Sequence, residues 1–225
     1  MTARQLSFDL PVRTARARED FFVSPANAQA VALIEGWRDW PARKLVLAGP
    51  RGAGKTHLAH VWAALSEARI VAAGALDGAD IAALAAGPVA VEDAHTIARD
   101  RAAEAALFHL HNLVLAEGHA LLVTAAAPPR RWDLSLPDLA SRMEAALLVR
   151  LAPPDDALLA AVLGKLFADR QLAPAPDCVP YLARRIERTF DAARDIVATL
   201  DARALAEGRA ITRALAAEVL DNRAP

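Results

Sequence analysis

Eight consecutive residues in the first quarter of the chain have the types and the spacing of a phosphate-binding loop, following G-x-x-x-x-G-K-[ST] without a mismatch. They are Gly49, Pro50, Arg51, Gly52, Ala53, Gly54, Lys55 and Thr56. Glycine lets the backbone turn sharply and point its N–H groups at phosphate oxygens. The lysine can reach β- and γ-phosphates, and the threonine hydroxyl can hold Mg²⁺. The motif therefore predicts a P-loop that binds a nucleotide with Mg²⁺.

The residues around the P-loop supply the strand and the helix that such a loop requires. An apolar run over 45–48 precedes it, and Leu58, Val61, Trp62 and Leu65 follow at helical spacing. Strands are predicted at 44–48, 69–73, 88–91, 120–124 and 146–149. Helices are predicted at 27–37, 55–66, 79–86, 101–117 and 136–142. Because strands and helices alternate, the sequence predicts an α/β fold with a parallel sheet flanked by helices on both faces.

A second candidate site lies where an apolar strand, Val89–Val91, ends in two carboxylates, Glu92 and Asp93. A P-loop needs an acidic partner at the end of a neighbouring strand to position Mg²⁺ and water. The sequence therefore predicts Thr56 and Glu92 as metal ligands and both acids as catalytic candidates. The usual order puts Asp first, so weak intrinsic hydrolysis is expected. A pair of solvated loop carboxylates is the alternative interpretation.

The alternating pattern stops at Pro153-Pro154, and only helical periodicity follows. We predict an N-terminal arm over 1–20, an α/β nucleotide-binding domain over 21–152 and a small α-helical lid domain over 153–225. In this architecture the nucleotide lies in the cleft between the two domains.

Composition narrows the class of protein. The chain has 225 residues, a formal net charge of −1 and 55% hydrophobic residues, which is enough to bury a real core. The charge gives no overall attraction to nucleic acid. Cys178 is the only cysteine, which excludes an intrachain disulfide and favours a reducing compartment. With no signal-peptide pattern and no apolar run of about 20 residues, we expect a cytoplasmic protein without membrane contact.

Several motifs together resemble the DnaA/Hda family of AAA+ replication proteins. They are the P-loop, the Glu92-Asp93 strand end, the run Leu136-Pro137-Asp138-Leu139-Ala140-Ser141-Arg142, and Ala193-Arg194-Asp195, in the family's order. The resemblance runs through nearly the whole chain. It is closest to the regulatory members that inactivate the initiator, on Leu121–Thr124, Pro128–Arg130 and the 136–142 run. It implies an AAA+ fold and binding of ADP or ATP.

The resemblance also implies roles for single residues. Arg142 matches the arginine finger that enters a neighbouring subunit's nucleotide site, and Arg194 matches the lid arginine that contacts phosphates in its own chain. Thr124 is left to sense the γ-phosphate, because alanines follow it at 125–127 where family members often carry a polar residue. Phe22, Val23 and Asn27 fall where the family holds the adenine base. The alternatives are that Arg142 forms a structural ion pair, that Arg194 is solvated, and that the apolar residues Phe22 and Val23 belong to the core.

A short peptide in the N-terminal arm is similar to the clamp-binding motif of the same family. It comprises Gln5, Leu6, Phe8 and Leu10 within Gln5-Leu6-Ser7-Phe8-Asp9-Leu10. The three apolar side chains can enter an apolar groove, while the side-chain amide of Gln5 forms hydrogen bonds at the rim of the groove. Burying them is worth roughly 5–8 kcal/mol before the cost of ordering the arm. The alternative is an arm that packs on its own domain or on a second copy.

The resemblance implies a regulator that binds the sliding clamp and stimulates ATP hydrolysis by the DnaA initiator, which prevents re-initiation. The sequence also leaves open a homodimer, a helicase loader and a small-molecule kinase. No helix-turn-helix pattern is found before Pro225, so direct sequence-specific DNA binding is not expected.

Overall fold

The computed structural model describes residues 22–222 of the chain. The strands are β1 Lys44–Ala48, β2 Arg69–Ala72, β3 Val89–Glu92, β4 Leu121–Ala125 and β5 Leu147–Arg150. The α-helices are α1 Ala28–Glu35, α2 Lys55–Ser66, α3 Ile81–Ala85, α4 Arg101–Ala116, α5 Pro137–Glu144, α6 Asp156–Asp169, α7 Cys178–Ala183, α8 Phe190–Glu207 and α9 Arg213–Asp221.

The five strands form one parallel sheet in the order β2-β3-β4-β1-β5. This confirms the predicted α/β fold, with strand ends within one residue and the first five helix ends within two. β1 lies between β4 and β5 and is buried along its whole length. Because parallel strands point the same way, the residues that follow β1, β3 and β4 meet at one edge of the sheet.

The sheet buries a separate hydrophobic cluster on each face. Along β1, Leu45 and Leu47 join the cluster that includes α1 and α2, whereas Val46 joins the opposite cluster with α4 and α5. Successive side chains of a strand point to opposite faces, so a strand covered on both sides must be apolar throughout. The continuous apolar run of β1 follows from this position.

Helices α6–α9 enclose a third hydrophobic cluster, which includes Leu159, Phe167, Leu200 and Leu215. Between residues 156 and 221 the structure contains helices and no strand, as the periodicity predicts. The predicted domain limits at 20/21 and 152/153 stay predictions, and the N-terminal arm lies outside the described residues. No helix within 22–222 is long and apolar enough to cross a membrane.

Candidate functional site

A cleft of about 890 Å³ lies between the carboxyl edge of the sheet and helices α6 and α8. The sheet side contributes Arg51, Gly52, Gly54, Lys55, Thr56, Asp93 and Ala126, and the helical side contributes Leu158, Val162, Lys165, Leu166, Asp169, Arg170, Phe190, Asp191 and Arg194. The fold therefore brings together the P-loop, one acid of the predicted pair and the predicted lid arginine. These residues are far apart in the sequence.

The P-loop has the backbone shape that phosphate binding requires. Gly52 and Gly54 have φ angles of 74° and 95°, in the left-handed region that favours glycine. Helix α2 begins at Lys55, directly after this turn, so its N-terminal N–H groups and the positive end of its dipole face the cleft. The arrangement can bind an anion at the first turn of α2.

Lys55 is held at the floor of the cleft. Its Nζ donates hydrogen bonds to the carbonyl oxygens of Gly49 at 2.8 Å and Pro50 at 2.9 Å, and the side chain is 8% exposed. Burial lowers the pKa of Lys55, and the carboxylates of Asp93, Glu92 and Asp191 act in the opposite direction. A phosphate group would act on the Lys55 charge in the same direction as these three carboxylates.

Helix α8 docks directly on the P-loop. The N–H of Phe190 donates to the carbonyl of Gly52 at 3.0 Å. A Cβ on Gly54 would lie 2.7 Å from Phe190 Cε2, and one on Gly52 would overlap Thr189, the residue that caps α8. The two glycines are therefore needed for the close approach of the lid as well as for the turn. Sequence reasoning missed Phe190, because its contact is tertiary.

The acidic strand end has one member that lines the cleft and one that does not. Asp93 lines it, with φ at 53°, and its N–H donates to Thr124 Oγ1 at 3.0 Å. Thr124 is buried in β4 and does not line the cleft. Glu92 points one carboxylate oxygen, Oε1, into a buried position where no described residue bonds to it. The hydrogen bond from Asp93 N to Thr124 Oγ1 thus joins the residue that follows β3 to the end of β4.

Magnesium suits the oxygen donors at this edge. Thr56 offers a hydroxyl in the cleft, Asp93 offers a carboxylate, and Glu92 has a buried oxygen without a partner among the described residues. Mg²⁺ prefers such oxygen ligands and usually takes only one or two from protein, the rest from phosphates and water. Within residues 22–222 no group of three His, Cys, Asp or Glu side chains could hold a metal ion. When bound, Mg²⁺ would neutralise phosphate charge.

Arg194 and Asp191 lie on the same face of α8, three residues apart, and both line the cleft. The Arg194 Nη2 donates to Asp191 Oδ1, and each side chain is about half exposed. Thr189 Oγ1 accepts a hydrogen bond from Ala192 N at 3.0 Å and so starts the helix in the register that aims both residues inward. Asp191 was not predicted, and it gives Arg194 a local partner that a phosphate would have to replace.

Of the three residues predicted to hold the adenine base, two line the cleft and one does not. Phe22 and Asn27 line the cleft, whereas Val23 is 60% exposed and does not. The Asn27 amide accepts from Ser24 N and donates to Phe22 O, both at 2.8 Å. It therefore shapes the turn that carries Phe22. A contact of Phe22, Val23 or Asn27 with a base stays a prediction.

Three histidines also line the cleft, and none of them was predicted as a site residue. His57 and His60 lie one turn apart on α2, and the i,i+3 spacing was the available signal. His95 follows the acid pair, and its Nδ1 accepts a hydrogen bond from Ala126 N at 3.3 Å. The imidazole of His95, which follows β3, thus lies beside Ala126 in the alanine stretch at the end of β4.

Arg142 is exposed on α5 and does not line the cleft of its own chain. The N-terminus of α5 is fixed by Glu104, which is 0% exposed. Its carboxylate accepts hydrogen bonds from Ser135 N, Ser135 Oγ and Leu136 N at 2.7–3.0 Å, and from Arg99 N at 2.8 Å. Burial raises the pKa of Glu104, but these hydrogen bonds outweigh it and the net pKa is lowered.

The C-terminal end of α5 is fixed by Lys44, which is 6% exposed. Its Nζ donates to the carbonyl of Arg142 at 2.7 Å and lies 3.4 Å from His111 Nε2. Burial lowers the pKa of Lys44, and the Arg142 charge lowers it further. Burial also lowers the pKa of His111, so a neutral ring with Nδ1–H donating to Asn112 Oδ1 fits the contacts. Sequence reasoning missed Glu104 and Lys44 because their partners are distant in the chain.

Solved structures of related shape support the fold, while no protein-family profile matches the sequence. Domain III of the replication initiation protein DnaA from Thermotoga maritima is 17% identical over 95% of this chain and 98% of that chain, with a TM-score of 0.81. AMPPCP-bound DnaA from Aquifex aeolicus is 13% identical over 85% of this chain and 67% of that chain, with a TM-score of 0.72. A RuvB variant from Thermotoga maritima is 18% identical over 90% and 70%, with a TM-score of 0.69. At these identities the likeness establishes the fold, which is that of the AAA+ domains of DnaA and RuvB.

Proposed function

We propose that this chain is an adenine-nucleotide-binding AAA+ regulator of replication initiation, of the kind represented by Hda. It binds ADP or ATP with Mg²⁺ in the cleft, docks on the sliding clamp through Gln5, Leu6, Phe8 and Leu10, and presents Arg142 to ATP-bound DnaA. The guanidinium then stabilises the charge that develops on the γ-phosphate of the initiator's nucleotide. Hydrolysis there prevents re-initiation.

One observation carries this proposal: Arg142 is exposed outside its own cleft, on a helix that buried Glu104 and Lys44 hold at both ends. An arginine that serves the nucleotide of its own chain would have to line its own cleft, as Arg194 does. An exposed guanidinium on a helix that is held at both ends suits a nucleotide bound by a partner, where such a contact can be worth ~10³–10⁵ in rate.

The P-loop and the structural similarity to DnaA support nucleotide binding. Lys55 and Thr56 lie at the N-terminus of α2 in the cleft, and the structurally similar DnaA from Aquifex aeolicus is described as AMPPCP-bound. The clamp peptide lies outside the described residues and rests on the sequence pattern alone. Weak hydrolysis by the chain itself is expected from the Glu92-Asp93 order and the alanines at 125–127.

The test is a reconstituted turnover assay with clamp loaded on DNA, DnaA and ATP. We expect the full chain to accelerate conversion of DnaA-bound ATP to ADP, Arg142→Ala to abolish the acceleration, and Leu6→Ala/Phe8→Ala to abolish both the acceleration and clamp capture. Arg131→Ala is the matched control, because it removes another exposed arginine outside the cleft.

Two results would reject the proposal. Unchanged DnaA turnover on adding the chain would remove the regulatory role. Capture of a replicative helicase in place of the clamp, with indifference to the Leu6 and Phe8 changes, would instead favour a helicase loader. Calorimetry with ADP and ATP on Lys55→Ala separates loss of nucleotide binding from loss of the partner contact.

A further inference from the structure

A second cavity, of about 560 Å³, lies on the helical lid and shares no lining residue with the nucleotide cleft. It is lined by Asp177, Pro180, Tyr181, Arg184, Arg185 and Arg213. Three of these six residues are arginines, which come from the end of α7 and from the first position of α9. We call Tyr181, Arg184, Arg185 and Arg213 the Tyr181 arginine cluster.

Each guanidinium of this cluster is oriented by a contact that leaves donors unused. Arg185 lies over the Tyr181 ring with its Cζ 4.3 Å from the centroid, and Arg213 lies at 5.0 Å. Arg184 donates through Nε to the carbonyl of Pro180 at 3.1 Å, which keeps its two terminal nitrogens available. The cluster is therefore a preorganised set of planar N–H forks.

No carboxylate within residues 22–222 forms an ion pair with these three arginines, in contrast to neighbouring Arg188, which pairs with Asp156 at 2.7 Å. Asp177 lines the cavity without coming within ion-pair distance. Arg213 also stands at the N-terminus of α9, where a positive charge opposes the helix dipole. The local excess of positive charge on a chain with net charge −1 would be relieved by an anion.

We propose that the Tyr181 arginine cluster is a sequence-independent binding site for the phosphate backbone of nucleic acid. Guanidinium forks match phosphate oxygens in pairs, and this geometry favours arginine over lysine at such sites. Two guanidiniums already lie close to the Tyr181 ring and would compete with a base for stacking on it. The contact is therefore to backbone phosphates, and it does not rest on the role proposed for Arg142.

The surroundings of the cluster favour nucleic acid over an acidic protein segment. A protein docking surface normally has an apolar centre inside a polar rim. The exposed large apolar side chains of the described residues are Phe22, Val23, Leu65 and Leu205, and none of them lines this cavity. A ligand that supplies repeated charge without apolar side chains suits the site better.

The test is fluorescence anisotropy of the full chain with a labelled DNA duplex, in saturating ADP and Mg²⁺ so that the P-loop is occupied. If three phosphates are neutralised, affinity should fall by about 40-fold between about 50 mM and about 200 mM salt. Arg185→Gln/Arg213→Gln should reduce this dependence to about 4-fold and weaken binding at low salt. A duplex of scrambled sequence should bind equally well.

Arg188→Gln is the matched control, since Arg188 is adjacent but ion-paired, and it should leave DNA binding unchanged. Arg185→Lys/Arg213→Lys keeps the charge and removes the guanidinium forks, so it should retain the salt dependence with lower affinity for DNA. Thermal melting followed by tryptophan fluorescence checks that each variant is folded. Equal DNA binding by the folded Gln variant and the wild type would overturn the proposal. So would preferential displacement of the duplex by polyglutamate, which indicates an acidic protein, or by inorganic pyrophosphate, which indicates a small phosphate ligand.

Discussion

The two arginines to which we assign roles, Arg194 and Arg142, are held in different ways. Arg194 lines the cleft of its own chain and is paired with Asp191, one turn away on the same helix, through half-exposed side chains. Arg142 lies outside the cleft with an exposed side chain, on a short helix fixed through its backbone by buried Glu104 and Lys44.

The difference suits the roles that we propose for the two guanidiniums. A lid arginine that meets nucleotide entering its own cleft has to exchange one anion for another, and an exposed i,i+3 pair worth about 0.5 kcal/mol permits this. An arginine offered to a partner subunit gains from a fixed backbone, because ordering that helix on binding would cost affinity and geometry. The buried hydrogen bonds of Glu104 and Lys44 at the two ends of α5 fit this requirement.

The largest expected effect is a double dissociation between these two positions. Arg142→Ala should lower the stimulated hydrolysis by DnaA by about 10³-fold or more while ADP binding to this chain is unchanged. Arg194→Ala should weaken binding of ADP or ATP by about 10-fold, since it removes a charge-assisted contact. Calorimetry measures the second effect and the reconstituted turnover assay the first.

The comparison would fail if Arg142→Ala weakened nucleotide binding by its own chain, or if Arg194→Ala left it unaltered. Arg131→Ala, another exposed arginine outside the cleft, should behave as wild type in both assays.

The second effect concerns the N-terminal anchor of α5. Glu104→Ala leaves the N–H groups of Arg99, Ser135 and Leu136 and the Ser135 hydroxyl without their buried acceptor, so it should lower the free energy of unfolding by about 3 kcal/mol. Ser135→Ala removes the hydroxyl bond alone and should cost about 1 kcal/mol. Urea denaturation measures both, and equal costs would contradict the anchoring role.

The same carboxylate makes stability depend on pH. Its folded pKa lies below that of the unfolded chain, so the stabilisation is complete above the unfolded carboxyl value of about 4.3 and is lost as pH falls through the folded pKa. Below about pH 4 the wild type should therefore lose its stability margin over Glu104→Gln, which cannot titrate. A constant difference between the two proteins down to about pH 3 would show that Glu104 does not titrate in this way.

The sequence predicted what local patterns determine. The P-loop and the five strands follow from spacing and periodicity over a few residues, whereas Arg142 was selected because the 136–142 run resembles the DnaA/Hda family. Glu104 and Lys44 were not predicted because their partners lie about 30 and 98 residues away and become neighbours only when α4, α5 and β1 pack. Phe190 was missed for the same reason, since its significance depends on reaching Gly52 and Gly54.

The third effect concerns the C-terminal anchor. Lys44→Met removes the donor to the Arg142 carbonyl, one of the helix-end carbonyls that lack an intrahelical partner. We expect about a 10-fold lower stimulation of DnaA, corresponding to about 1.4 kcal/mol, with ADP binding unchanged. Lys44→Arg keeps a donor at this position and should recover part of the stimulation. A merely structural residue would instead lower thermal stability and both activities together.

The smallest effect tests the opposite arrangement, in the lid. Asp191→Asn removes the charge that holds Arg194 and also the nearest carboxylate that nucleotide phosphates would face from α8. Because the pair is half exposed, we expect only about a 2–5-fold gain in affinity for ADP, largest at low salt where the pair is least screened. Asp195→Asn, an exposed neighbour outside the cleft lining, is the matched control. If Asp191→Asn instead weakened ADP binding, Asp191 would be orienting Arg194 toward the phosphates, and the lid arginine would be preorganised as Arg142 is.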